Sequence, residues 1–297
     1  MDGRADRVRL KTMCGRYTLT ASPEQLAELL GLEQVDDFAP RFNVAPTQEV
    51  PVARALTISP DRARRSNWSH QHGARRALAG GKQPTSNKAG GPRGEPGDGR
   101  TGGQRSTVIV QGQGRQLDLL RWGLIPFWAK DAKIGNRMIN ARAETVADKP
   151  AYRVALRRRR CLVMADGFYE WRRTPEGKQP YYITLDHGGP FAIAGLWEQW
   201  DKGPEGTIVS CTLLTTTPNA LVRQVHNRMP VILAPEEYDL WLDPGVQAPE
   251  AVSHLLRSYP AEQMMAVPVS TLVNSPRNDE PDCQAPVGPP LDLEDES

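Results

Sequence analysis

From residue 160 to residue 218 the chain runs through four apolar stretches in close succession: RCLVMADGFYEWRR, QPYYITLD, PFAIAGLWEQW and TIVSCTLLTTTP. Each is rich in β-branched and aromatic residues and is bounded by Gly, Pro or charged turns, the pattern of strands. Nowhere does strand alternate with helix in the βαβ manner. The expectation is therefore an α+β fold, a single domain with a mixed, barrel-like β-sheet core flanked by short helices.

The remaining elements fit around that core. In PEQLAELLG, Leu26, Leu29 and Leu30 share a helical face, with Ser22 as N-cap and Gly31 as stop. RFNVAPTQEVPVARAL reads as a loop entering a short strand. STVIVQGQGRQLDLLRWGLIPFW reads as two strands around a Gly turn, then a Pro-broken aromatic loop. KPAYRVALRRRR is a short amphipathic helix beside a basic surface. LVRQVHNRMPVIL carries a helical turn into a strand, PEEYDLWLD and PEAVSHLLRSYP are short helices, and MMAVPVSTLV is a late strand.

Charge is unevenly spread. The chain has 37 Lys and Arg against 35 Asp and Glu, a net +2. Residues 62–105 alone hold ten basic and two acidic residues, leaving 27 basic against 33 acidic elsewhere. That Gly-, Pro-, Arg- and Ser-rich stretch, about 60–106, has too little apolar surface to offset ordering entropy and is expected to be a disordered insertion. VARAL and RQLDLLRWG, on either side of it, are strand material for one sheet. The segment 276–297 is expected to be a disordered tail, since Asp279 to Ser297 holds seven acidic and no basic residues. The first twelve residues, MDGRADRVRLKT, show neither an apolar period nor a signal-peptide core, and are expected to be a leader or a mis-assigned start, with the domain spanning 13–275. No apolar run is long enough to span a membrane. Cys14, Cys161, Cys211 and Cys283 form no C-x-x-C pair, which argues against a zinc ribbon or disulfide framework and suits a cytoplasmic location.

Four stretches could carry chemistry. Cys14 reads equally well as a buried, inert cysteine; if Met13 is removed, however, it offers an α-amine and a thiol on adjacent carbons. An aldehyde can form an imine with that amine and then a five-membered thiazolidine with the thiol, which no internal cysteine can do. In MINARAET, Asn140, Arg142 and Glu144 would share one face of a strand, with Asn140 able to orient an amine and Arg142 to hold a phosphate. A solvated edge explains the same pattern. Glu170, among core residues in ADGFYEWRR, would be partly desolvated, an environment suited to general acid–base work; an outward-facing edge Glu reads equally well. His226 in VHNRMPVIL is the side chain suited to moving protons without tuning, although a lone histidine is commonly structural. Around Pro126, the aromatics Trp122, Phe127 and Trp128 lie beside Arg121 and Lys130, a combination that stacks on unpaired bases; Trp122 also reads as core.

MCGRYTL, FNVAPTQ, LRWGLIPFWAK, INARAET, ADGFYEW and HNRMPVIL, in this order, resemble the SOS response-associated peptidase (SRAP) family of abasic-site processing proteins, from Met13 to about Val273. The resemblance implies a crosslink between Cys14 and abasic sites in single-stranded DNA. Asn140 would position the cysteine, and Glu170 and His226 would form the acid–base pair. It implies DNA contacts from Arg16, Asn43, Arg142, Trp171, Thr215 and Arg228, with Trp128 as a wedge beside the lesion. Where some members carry a second tryptophan, this chain has Ala129. It also implies a peptidase activity on residues preceding the cysteine, using the same Asn, Glu and His.

The expected partner is single-stranded DNA with abasic sites, with replication-associated proteins as further candidates. The expectation is a monomer that is nucleoid-associated when bound to DNA, with no cofactor, no metal and no membrane contact. Two rival readings remain at this point. One is an N-terminal-nucleophile hydrolase or amidotransferase, since MCG also opens glutamine-hydrolysing domains. The other is a non-covalent single-stranded DNA binding module, which would need neither Cys14 nor Glu170.

Overall fold

Continuous apolar runs form strands that are buried on both faces. In Arg160–Ala165 every residue is buried. Its alternate side chains feed two cores: Cys161, Val163 and Ala165 enter one cluster, Leu162 and Met164 the other. The computed structural model describes residues 15–56, 114–204 and 206–293. The leader, Cys14, the basic stretch from 60 to 106, and His70 and His72 therefore lie outside the described residues. Except for Leu56, the described residues belong to one compact unit.

Among the described residues thirteen strands follow in chain order: β1 Arg16–Leu19, β2 Arg41–Val44, β3 Glu49–Ala55, β4 Arg115–Trp122, β5 Asn140–Arg142, β6 Arg160–Ala165, β7 Gly167–Thr174, β8 Gly177–Leu185, β9 Phe191–Gly203, β10 Gly206–Thr216, β11 Met229–Pro230, β12 Ile232–Leu233 and β13 Met264–Pro268. β3, β4, β6, β9 and β10 close into a barrel, because β10 pairs with β4 on one edge and with β9 on the other. The sheet is mixed: β10 runs parallel to β4 and β5, whereas β3, β6 and β9 pair antiparallel. A second sheet, in the order β13-β8-β7-β1-β2, packs on the barrel through Tyr17, Phe168 and Ile183, which share a cluster with Val50, Val163 and Leu213. Ala55 pairs with Arg115, so one hairpin accepts chain from both sides of the interval between them.

Helices are short. The first, Pro23–Leu30, has the expected Ser22 N-cap and a left-handed Gly31, with Leu26 and Leu30 buried. The others among the described residues are Arg153–Arg158, Ala220–Arg223 and Tyr238–Leu242, with short 3-10 turns besides. The helices read for PEAVSHLLRSYP are two such turns.

Two expectations are corrected. ADGFYEW does not continue the strand before it, because Asp166 turns the corner between β6 and β7. Its carboxylate binds the Thr18 hydroxyl, the Thr20 backbone, the Thr20 hydroxyl at 2.7 Å and the Ala21 N–H at 2.9 Å. Residues 276–293 are not a disordered tail. Asp279 accepts from the Phe42 and Asn43 backbone N–H groups at 2.6 and 2.8 Å and pairs with Arg41 at 2.5 Å. Cys283 is fully buried, and the Leu291 N–H reaches the Ala266 carbonyl at 2.8 Å. Polar contacts to distant backbone groups order this segment, where apolar periodicity is absent.

Candidate active site

β7 runs between β8 and β1 and carries Glu170 opposite Tyr181. Only 2% of Glu170 is exposed. His226 follows the helical turn Ala220–Arg223, whose N-cap Asn219 accepts the Val222 N–H at 2.9 Å. The His226 N–H bonds to the Val222 carbonyl at 2.8 Å, and its Nδ1 accepts the Arg228 N–H at 3.2 Å. The imidazole is thereby held with Nδ1 3.7 Å from Glu170 Oε1. That separation is longer than a hydrogen bond and within ion-pair range. Between them opens a cleft of about 410 Å³, lined by Glu170, Trp171, Arg173, Lys178, Val225, His226 and Asn227. Trp171 is half-buried, and its indole N–H donates to Asn274 Oδ1 at 2.7 Å.

Asn140 approaches from the barrel. β5 lies parallel to the end of β10, with Asn140 beside Leu213 and Arg142 beside Thr215. On the far edge of that same end, β11 pairs Pro230 with Thr215. Asn140 is therefore brought near the His226 segment through β10, but it is not among the described residues that line the cleft. The shared polar face expected for Asn140, Arg142 and Glu144 stops after two residues, because the strand ends and Glu144 enters a 3-10 turn. There its carboxylate takes both terminal nitrogens of Arg228, at 2.6 and 2.8 Å. These bonds hold the Glu144 carboxyl below its usual range.

Three of the residues expected to contact DNA are buried. Asn43 is fully buried, and its amide donates to the carbonyls of Val273, Ser275 and Asn278 at 3.2, 3.0 and 2.7 Å. Thr215 is also fully buried, with its hydroxyl on the Ala141 carbonyl. Arg228 is 9% exposed, and its guanidinium is taken up by Glu144 and by the Thr215 carbonyl at 2.6 Å. These side chains bond to neighbouring backbone and carboxylate groups around the site. Arg16 is half-buried, donating to Asn43 Oδ1 at 2.9 Å and to the Val273 carbonyl at 2.7 Å; burial lowers its pKa from the usual arginine value. Sequence reasoning missed Asn274 and Asp279, because it placed no structure after the last strand.

The aromatic loop divides as its two readings allowed. Trp122 is fully buried, donating to the Ile139 carbonyl at 2.9 Å and packing its ring 5.2 Å from that of Tyr17. Phe127 and Trp128 are 55% and 47% exposed. Two glycines fix the loop: Gly123 has φ of 127°, and a Cβ there would stand 2.6 Å from the Gly135 carbonyl oxygen. Ala129 anchors the other side, its carbonyl accepting the Trp200 indole N–H at 2.8 Å. Arg142, Lys130, Lys133 and Arg137 are exposed.

Cys161, Cys211 and Cys283 are buried free thiols whose pKa values burial pushes up, so none is poised as a thiolate. Among the described residues no group of three His, Cys, Asp or Glu could hold a metal ion, and no helix is long and apolar enough to cross a membrane.

Comparison with known proteins gives one consistent result. The family model for SOS response associated peptidase (SRAP) matches residues 13–276. The abasic site processing protein YoqW of Bacillus subtilis is 37% identical over 275 residues, covering 91% of this chain and 98% of its own. The abasic site processing protein HMCES of Xenopus tropicalis is 35% identical over 196 residues, 58% of each chain. Among solved structures, a Bordetella bronchiseptica protein superposes with a TM-score of 0.59 at 20% identity, over 86% of this chain and all of its own. A Bacteroides thetaiotaomicron protein gives 0.53 at 31% identity, over 57% of this chain and 75% of its own.

Proposed function

The chain belongs to the SOS response associated peptidase family, and on that premise we propose that it processes abasic sites in single-stranded DNA by joining Cys14 covalently to the opened sugar. The observation that carries this reading is the Glu170–His226 pair, 3.7 Å apart and lining one cleft. The β1–β7 ladder ends with Arg16 opposite Tyr169, the neighbour of Glu170. Cys14 precedes Arg16 by two residues in the sequence.

The chemistry needs Cys14 at the N-terminus, once the residues before it have been removed; the peptidase activity of this proposal is that removal, with Asn140, Glu170 and His226 as its machinery. The abasic deoxyribose exposes an aldehyde when its ring opens. The α-amine adds to the aldehyde carbon to give a carbinolamine. Loss of its hydroxyl as water leaves the imine, and the thiol then adds across C=N, sulfur to carbon and proton to nitrogen. The thiazolidine therefore weighs one water less than its two components. Ring opening needs a base for the sugar hydroxyl, and dehydration needs an acid for the departing hydroxyl. Glu170 and His226 exchange those roles across the cleft. Asn140 orients the amine, and Trp128 enters the stack beside the lesion while Arg142 and Trp171 meet flanking nucleotides.

A denaturing gel tests the reading with protein that begins at Cys14 and an oligonucleotide bearing one abasic site. Cys14→Ala is expected to bind the DNA and leave no denaturant-stable product. Glu170→Gln and His226→Ala are each expected to slow adduct formation by about 10²–10⁴-fold, the range for general acid–base groups. A stable product from Cys14→Ala at wild-type yield would refute the assignment, and equal retention of all variants without any adduct would identify a non-covalent binder.

A further inference from the structure

We propose that Arg173 and Lys178 form a phosphate subsite of the cleft, gripping the DNA backbone beside the sugar that faces Glu170 and His226. The pair sits on the β7–β8 hairpin, Arg173 directly opposite Lys178 and Trp171 opposite Pro180. Alternation puts Trp171 and Arg173 on one face of β7, with Lys178 across from them. Like charges directly opposite in an antiparallel pair are unfavourable. Both cations are exposed, and neither forms an ion pair with a described residue, including Glu176 in the turn between them. The neighbouring Arg172 is used otherwise, lying 4.9 Å over the Tyr181 ring. Arg173 and Lys178 both line the cleft of Glu170 and His226, and Lys178 also lines the adjoining hollow with Trp171 and Asn274. A repulsive cation pair beside an aromatic face, at the mouth of a site built for an abasic sugar, is complementary to a sugar–phosphate strand. Nucleic acid is the occupant, because its phosphates relieve the repulsion that the hairpin otherwise carries.

This inference rests on the proposed function, so the test separates the two. The full chain and its Arg173→Gln/Lys178→Gln variant are titrated with the abasic oligonucleotide at several salt concentrations, with Arg153→Gln/Arg157→Gln as a control of equal charge on an exposed helix face outside the cleft. The expected result is a log–log salt slope shallower by about 1.4, about 0.7 for each phosphate that is no longer neutralised. The half-saturating DNA concentration rises several-fold, while the adduct rate at saturating DNA stays within about twofold of wild type. Thermal stability is unchanged or raised, because a like-charge pair has been removed. An unchanged slope, or an equal change in the control, overturns the subsite, as does a collapsed saturating rate with an unchanged slope. Failure of the wild type to form any adduct counts against the covalent reading alone; the slope comparison still decides the subsite.

Discussion

Glu144 and Arg228, 84 residues apart, are joined by two parallel hydrogen bonds of 2.6 and 2.8 Å, which pin the segment bearing His226 to the one bearing Asn140. A bidentate carboxylate–guanidinium pair fixes orientation as well as distance. His226 and Asn140 come from segments on different edges of β10, and this pair is what registers them.

Glu144→Gln should therefore slow crosslinking more than it weakens DNA binding. Arg228 holds the Glu144 carboxyl below its usual range. The stabilisation is present above the usual carboxylate range of about 4.3 and is lost as pH falls through the lower folded value. Urea denaturation of wild type and Glu144→Gln should accordingly differ at neutral pH and converge on acidification. A gap that widens toward low pH would contradict this.

Asn43→Ala leaves the carbonyls of Val273, Ser275 and Asn278 without their donor. The expected cost is about 1–3 kcal/mol, read as a lower urea midpoint. The salt dependence of DNA binding should be unchanged, and a shallower slope would restore Asn43 to the DNA contacts.

Two tryptophans six residues apart should behave oppositely. Trp122→Ala empties a fully buried site and should cost about 3–5 kcal/mol. Trp128→Ala removes a ring 47% exposed and should leave stability within about 0.5 kcal/mol. It should instead weaken abasic-site binding by about 1–3 kcal/mol, the value of one stacked base. Thermal melts and DNA titrations on both variants check the pair.

Glu198 gives the opposite pH signature from Glu144. It is 2% exposed beside Arg159, and desolvation raises its pKa above the usual value. The unfolded carboxyl ionises first as pH rises, so wild type loses stability from about pH 4.3 upward until the folded group ionises too. Glu198→Gln should gain on wild type over that interval, and a gap independent of pH would contradict the assignment.

What could be read from the chain follows from what stabilises each part. β6, β9 and β10 are buried on both faces, so their apolar content announced them. The Ser22 cap and Gly31 stop are local signals and were equally plain. Glu144 escapes a reading by alternation because a strand of three residues gives too few periods to show where it ends. The order of segment 276–293 is equally hidden, because it comes from Asn43 and Asp279, more than 200 residues apart in sequence and paired through backbone groups. Motif order located Glu170 and His226, yet motif matching carries no information on exposure. Asn43, Thr215 and Arg228 match the motifs as DNA contacts, and only the fold shows that they are buried.

The most direct test of the covalent claim is the intact mass of protein beginning at Cys14, before and after incubation with single-stranded DNA containing one abasic site. The expected result is a new species at the summed mass less one water that survives denaturation, absent from denatured Cys14→Ser, whose imine has the same mass but hydrolyses because it lacks the thiol to close the ring as a thiazolidine. A protein that binds the DNA yet keeps its free mass, or a Cys14→Ser variant that gains the same stable adduct, would contradict it.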